Sequence, residues 1–240
     1  MMHVGSVPSH KSPPVRPWSL LGRLSFSRPL GSYSKVQKLV TTLIRGRAFQ
    51  VARAGLGGRR HLNVGCGLNC HPRFINLDYR WVPGVDVCWD VTRGLPFENR
   101  SLAAVYSEHC LEHLTFDACA GVLREFKRVL EPGGVVRIVV PDAELYLDLY
   151  HRHQAGDRTV PFPHAPSPPP PDQTALMSIA PIFFQHGHLF AYDAATMGLL
   201  LSRAGFRDIV QESYLHGRDP VMLIDSEHRA VESLYMEAEA

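Results

Sequence analysis

The chain has 240 residues, 45% of them apolar and 20% charged, which excludes wholesale disorder and suits one sizeable α/β domain. Net charge is +2, yet residues 1–60 hold eleven Lys/Arg and no acid, while the remainder holds 14 Lys/Arg against 23 Asp/Glu in the whole chain. No run approaches the roughly 18 uninterrupted apolar residues of a membrane span, and five scattered cysteines (Cys66, Cys70, Cys88, Cys110, Cys119) exclude a disulfide scaffold and suit reduced thiols in a cytoplasm.

Residues 1–34 read as a flexible, basic, Pro/Ser-rich arm, because Pro8, Pro13, Pro14, Pro17 and Pro29 leave neither a helix nor a strand period. Its acid-poor, Arg/Ser-rich composition also resembles that of an organelle transit peptide. Residues 35–58 are expected to form an N-terminal amphipathic helix. Val36, Leu39, Val40 and Leu43 share one face, and Lys35, Lys38 and Arg45 fall mostly off it. That face is expected to pack on the main domain and leave the basic side in solvent. The other reading is a weak contact of residues 1–60 with an anionic surface.

The main domain is expected over residues 59–240. Short apolar runs at 61–64, 74–78, 85–90, 102–106 and 135–140 alternate with turns and a helical patch at 116–130. The last of these runs is β-branched nearly throughout, as a strand buried on both faces should be. A Pro-rich loop is expected at 155–185, with seven prolines between Pro161 and Pro171. Asp193 then caps a helix that Gly205 ends, and runs 206–213 and 220–224 are read as two closing strands. Strands alternating with helices imply a mostly parallel sheet in one domain.

Ligands of such a sheet bind beyond the carboxyl ends of its strands. Five strand ends there carry glycine, acid or imidazole: Gly65-Cys66-Gly67, Asp78, Asp90, Ser107-Glu108-His109 and Pro141-Asp142. Two glycines flanking Cys66 permit a tight reversal and close approach of a ligand to the backbone. A dinucleotide site wants a third glycine and an acid about 20 residues on. Here Cys70 holds the third glycine position and Asp78 follows Gly67 by eleven residues, which argues against NAD; a P-loop is excluded because no Gly-Lys-Ser/Thr follows. Asp78 can accept both hydroxyls of a ribose. Asp90 can accept the exocyclic amine of a purine, or simply cap the turn after it. His109-Cys-Leu-Glu112-His113 is a literal H-x-x-E-H, the pattern of inverted zinc peptidases. It lacks an identified third ligand and directly follows a strand, so no metal is expected; a helix start with His113 satisfied by packing is preferred. His186-Gly187-His188 lies between the Pro-rich loop and the Asp193 helix, where a lid over the pocket would end.

Taken in order, Leu62-Asn-Val-Gly-Cys-Gly67, Phe74-Ile-Asn-Leu-Asp78, Val85-Asp-Val-Cys-Trp-Asp90, Leu95-Pro-Phe97, Tyr106-Ser-Glu-His-Cys-Leu-Glu-His-Leu114, Phe126-Lys-Arg-Val-Leu-Glu-Pro-Gly-Gly134 and Arg137-Ile-Val-Val-Pro-Asp142 resemble a class I S-adenosylmethionine-dependent methyltransferase. The resemblance is to its type 11, or predicted methyltransferase, group, and it resumes at His188-Leu-Phe-Ala-Tyr-Asp193. It implies a Rossmann-like, seven-stranded, mostly parallel sheet with helices on both faces and the last strand antiparallel. It implies S-adenosyl-L-methionine as cofactor, with Gly65, Cys66 and Gly67 at its methionine end, Asp78 on the ribose, Asp90 by the adenine, and Ser107 to His109 along the wall beneath the methyl. Asn69 departs from the general motif, where another glycine is common, and the Pro-rich loop and basic arm have no assigned counterpart.

Methyl transfer from a sulfonium needs alignment above all, and a base only for an acceptor that is not yet ionised. His188, His109 and Asp142 are the candidate bases, in that order. The expected reaction is O-methylation of a small molecule or a sugar/glycan, with no nucleic-acid partner. The alternative is a non-catalytic protein of the same fold that binds nucleic acid or a membrane surface through its basic arm.

Overall fold

The computed structural model describes residues 35–51, 57–166, 170 and 172–240. The expected arm over residues 1–34 lies outside them, as do Arg53, Pro168, Pro169 and Pro171.

In chain order the elements are α1 (Lys35–Ile44), β1 (His61–Val64), β2 (Phe74–Asp78), β3 (Val87–Cys88), β4 (Leu102–Glu108), α2 (Phe116–Val129), β5 (Leu130–Pro141), α3 (Ala143–Gln154), α4 (Ala175–Phe184), α5 (Ala194–Ala204), β6 (Arg207–Glu212) and β7 (Ser233–Glu239). The strands form one seven-stranded sheet in the order β3-β2-β1-β4-β5-β7-β6. Neighbours from β3 to β5 pair in parallel, and β7 runs antiparallel to both β5 and β6. The Rossmann-like sheet with a reversed last strand is therefore observed. Its strand order changes direction between β1 and β4, the switch point where open α/β sheets leave a crevice.

Leu62, Val64, Val105, Val136 and Ile138 pack from one face of the sheet onto Leu123 and Phe126 of α2 and Met197, Leu200 and Leu201 of α5. Phe74, Tyr106, Val139 and Tyr235 cluster on the other face with Met222. Local chemistry ends the helices where the sequence says it should. Asp193 Oδ1 accepts from the Thr196 amide at 2.7 Å, and Gly205 closes α5 at φ +91°. Replacing Asp193 with alanine should lower the unfolding free energy by about 1 kcal/mol in urea titrations, the usual effect of losing such a cap.

Three expectations are corrected. The closing strand is β7, not the run at 220–224, of which residues Pro220–Met222 form a 3₁₀ turn. The β7 sequence carries Glu237 in its middle, so it does not read as an apolar run. That carboxylate is accommodated because Arg137 of β5 meets it across the sheet at 2.9 Å and the Arg218 amide donates to its other oxygen. The expected loop at 155–185 is interrupted by α4. Pro181 inside α4 has no N–H to donate, yet Ile179 and Ile182 pack with Tyr146 and Leu149 of α3 and with Phe162, which holds the helix together. Finally, α1 stops at Ile44 before Gly46 (φ +75°), and its apolar stripe does not face the domain. Val36, Leu39 and Leu43 are all at least 60% exposed, and the helix docks through buried Thr41, whose Oγ1 accepts from the Trp81 amide.

Candidate functional site

The sequence places glycine and acid at the tips of β1 and β2, and the sheet brings them together. Asp78, 7% exposed, closes β2 with both oxygens engaged: the Gly67 amide donates to Oδ2 at 2.9 Å and the Arg80 amide to Oδ1 at 2.7 Å. The Gly65 and Cys66 amides both donate to the Leu77 carbonyl at 2.8 and 3.2 Å, so the turn is folded back on the end of β2. Gly65 (φ +72°) has no room for a side chain, since a Cβ there would lie 2.3 Å from Cys110 Sγ. Gly65→Ala should therefore cost about 1–3 kcal/mol of stability through overpacking alone, measured by urea unfolding. Gly67 (φ +51°) differs, because a Cβ on it would meet nothing within 4 Å and its α-carbon borders open space. Cys66 is buried, its Sγ 3.8 Å from that of Cys70.

Asp90 caps the 3₁₀ turn Val91–Arg93, accepting on Oδ1 from the Thr92 amide and hydroxyl at 3.1 and 2.6 Å. Ser107 is buried at the end of β4. Glu108 turns toward the loop before β7, where its two oxygens accept from the amide and hydroxyl of Ser226 at 2.8 and 2.6 Å. Asn69 donates to the same hydroxyl, so this bridge links β4 to the glycine turn. Asp142 caps α3, its Oδ1 accepting from the amides of Glu144 and Leu145, and burial raises its pKa.

His109 and His188 converge, and they do so around a residue that the sequence reading left without a role. After His109 (φ +47°) the chain forms the 3₁₀ turn Leu111–His113. The backbone amides of Leu189 and Phe190 donate to the Glu112 carbonyl, which seats the segment after α4 on this turn. His188 thereby lands with Nε2 4.0 Å from Glu112 Oε1, while His113 Nε2 lies 3.9 Å and His109 Nδ1 3.5 Å from the same oxygen. The rings of His113 and His188 meet edge to face at 5.0 Å. Neither oxygen of the buried Glu112 carboxylate accepts a hydrogen bond. Desolvation pushes Glu112 up to about 8 and holds His109 down to about 3 and His113 to about 4; it lowers His188 as well. At neutral pH these imidazoles therefore carry lone pairs rather than charge. No spacing rule links His188 to Glu112; only the seating of one segment on the other does.

Two surface cavities, of about 370 and 510 Å³, lie at the opposite, amino-terminal rim, by Lys127 and Arg207 and by Arg59 and His61. No helix among the described residues is long and apolar enough to cross a membrane.

Residues 59–138 match the family model described as "Methyltransferase domain", type 11. No curated protein matches the chain. Among solved structures, a S-adenosylmethionine-dependent methyltransferase from Thermotoga maritima is 15% identical over 85% of this chain and 93% of its own, with a TM-score of 0.45. One from Archaeoglobus fulgidus is also 15% identical, over 85% and 94%, with a TM-score of 0.47. Phosphoethanolamine N-methyltransferase 2 of Haemonchus contortus, in complex with S-adenosyl-L-methionine, is 13% identical over 88% and 58%, with a TM-score of 0.46. Over residues 59–138, a third of its length, this chain is thus similar to the type 11 methyltransferase-domain family.

Proposed function

We propose that this protein transfers the methyl group of S-adenosyl-L-methionine to an oxygen of a small molecule or of a sugar in a glycan. The observation that carries the donor half is the buried Asp78 carboxylate, held by the Gly67 and Arg80 amides beside the switch point of the sheet. Such a carboxylate is pre-aimed, and each oxygen keeps a lone pair for a ribose hydroxyl. The donor also fits the turn, since Gly67 leaves its α-carbon open for the methionine end. Asp90 commits Oδ1 to its cap and keeps Oδ2 for the adenine amine, although Arg93 stands 3.7 Å from it.

When bound, the donor supplies an electrophilic methyl on a sulfonium; the protein's part is to hold it in line with the acceptor. Gly65 and Cys66 give the turn its shape, and buried Ser107 lines the wall beyond β4. Glu108 acts at one remove, through Ser226 and Asn69, by holding the glycine turn. On the acceptor side, His109 directly precedes Cys110, which packs on Gly65, and His109 meets Glu112 at 3.5 Å. Of the three candidate bases, Asp142 is engaged in capping α3 and His109 is bonded through Nε2 to the Ser233 hydroxyl at 2.8 Å. His188 binds the Ile182 carbonyl through Nδ1 and keeps its Nε2 lone pair, so it is the group that meets the acceptor.

Titration calorimetry with S-adenosylhomocysteine tests the donor half, and one-to-one binding is the expected result. No heat at millimolar ligand would end the proposal. Methyl transfer from labelled donor to a panel of hydroxylated small molecules and sugars, with amines as the contrast, tests the oxygen preference.

A further inference from the structure

The geometry points to a divalent metal site built from Glu112, His113 and His188, with chemistry suited to zinc or a neighbouring transition ion. One ligand atom from each of the three lies within 4.8 Å of the others, and Glu112 Oε1 is already 3.9 and 4.0 Å from the two imidazole nitrogens. An ion with bonds of about 2.0–2.2 Å draws such atoms to roughly 3.5 Å apart, a contraction that side-chain rotation supplies.

Three further observations separate this cluster from a chance meeting of polar side chains. The Glu112 carboxylate is only 2% exposed and neither of its oxygens accepts a hydrogen bond, although it sits among imidazoles. A buried carboxylate in that condition normally has a partner. The Nδ1 of His188 is bonded to the Ile182 carbonyl at 2.8 Å, the outer contact that fixes a ligating histidine with its Nε2 lone pair directed inward. The His113 side chain is 34% exposed, so the cluster has a path to solvent. Two imidazoles and one carboxylate suit zinc, cobalt or manganese better than magnesium or calcium, which prefer all-oxygen sets. Three protein ligands also leave a coordination position open, as in catalytic rather than structural sites.

Glu112 and His113 follow Cys110 closely in the chain, and Cys110 Sγ would clash with any side chain on Gly65, which puts an ion here on the side of the donor turn. Its open position would take and polarise an acceptor oxygen. That role rests on the methyl-transfer reading above and replaces the base role given there to His188: with an ion bound, the Nε2 lone pair holds the metal, and polarisation of the acceptor oxygen takes the place of the base. Binding of the ion itself does not depend on that reading.

The test uses the full chain stripped with a chelator, with Zn²⁺ and Co²⁺ as probes. Calorimetry should give one Zn²⁺ per chain, and Co²⁺ should give a d–d spectrum without a thiolate charge-transfer band, which sets the site apart from Cys66 and Cys70. Glu112→Gln, which keeps the side-chain shape, and His188→Gln should each weaken binding by roughly 100-fold or more. Both variants should retain S-adenosylhomocysteine affinity, which reports that they are folded. Substoichiometric binding, a thiolate band, or affinity unchanged in both variants would overturn the site. No S-adenosylhomocysteine binding by the parent protein, with stoichiometric zinc binding observed, would sink the methyl-transfer reading and leave the metal site standing.

Discussion

Arg137→Leu should lower the unfolding free energy by about 3–5 kcal/mol in urea or thermal denaturation, the loss expected when one partner of a buried ion pair is removed. Arg137 is fully buried in β5. It donates from Nε and Nη2 to Asp225 Oδ1 and Oδ2 at 2.8 and 2.5 Å and from Nη1 to Glu237 Oε1 at 2.9 Å, and its remaining hydrogens reach the carbonyls of Ser213 and His216. Leucine would leave two carboxylates dry and uncompensated. These carboxylates also accept from the amides of Leu215 and Arg218, so the network pins residues 213–225 to the face of the sheet. The triple variant Arg137→Met, Asp225→Asn, Glu237→Gln removes the charges and keeps acceptors for those amides. It should recover more than half of the loss. A single substitution that costs under 1 kcal/mol would show that the network does not hold β7 and its loop in place.

The second large effect falls on binding. Asp78→Ala should weaken S-adenosylhomocysteine by about 1–3 kcal/mol, or roughly 5–150-fold, because it removes the carboxylate proposed for the ribose and frees the Gly67 amide it holds. Asp78→Asn retains one acceptor oxygen and should fall between parent and alanine. The control is Asp90→Ala, which removes the cap on Thr92 and should weaken binding less. Equal affinity in the parent and Asp78→Ala would reject Asp78 as the ribose contact.

The errors in reading the closing strand and the 155–185 segment share one cause. Apolar periodicity reports burial against the rest of the protein only where each buried residue is itself apolar. Glu237 breaks that rule because its counter-charge, Arg137, lies on another strand. Residues 175–184 break it because proline density suggests a loop, whereas the packing of Ile179 and Ile182 on α3 decides for a helix. In α1 the apolar stripe keeps a helical period but faces solvent: a ten-residue helix with one buried residue is placed by Thr41 and its bond to Trp81, not by that stripe.

By itself the sequence determined the parts whose chemistry is local. These are the glycine turn after β1, the acids at the tips of β2 and β3, the Asp193 and Gly205 caps, and the alternation of strands with helices that makes a mostly parallel sheet, whereas the reversed last strand is what the family resemblance implies. Each depends on backbone conformation or on neighbours a few residues away, so spacing carries the information. The tertiary structure alone decided which distant side chains share a space. His188 reaches Glu112 because the segment after α4 hydrogen-bonds to the turn after β4, and Arg137 reaches Asp225 because a loop folds back across the sheet. Contacts of that kind are set by how elements pack, and a linear pattern holds no record of them.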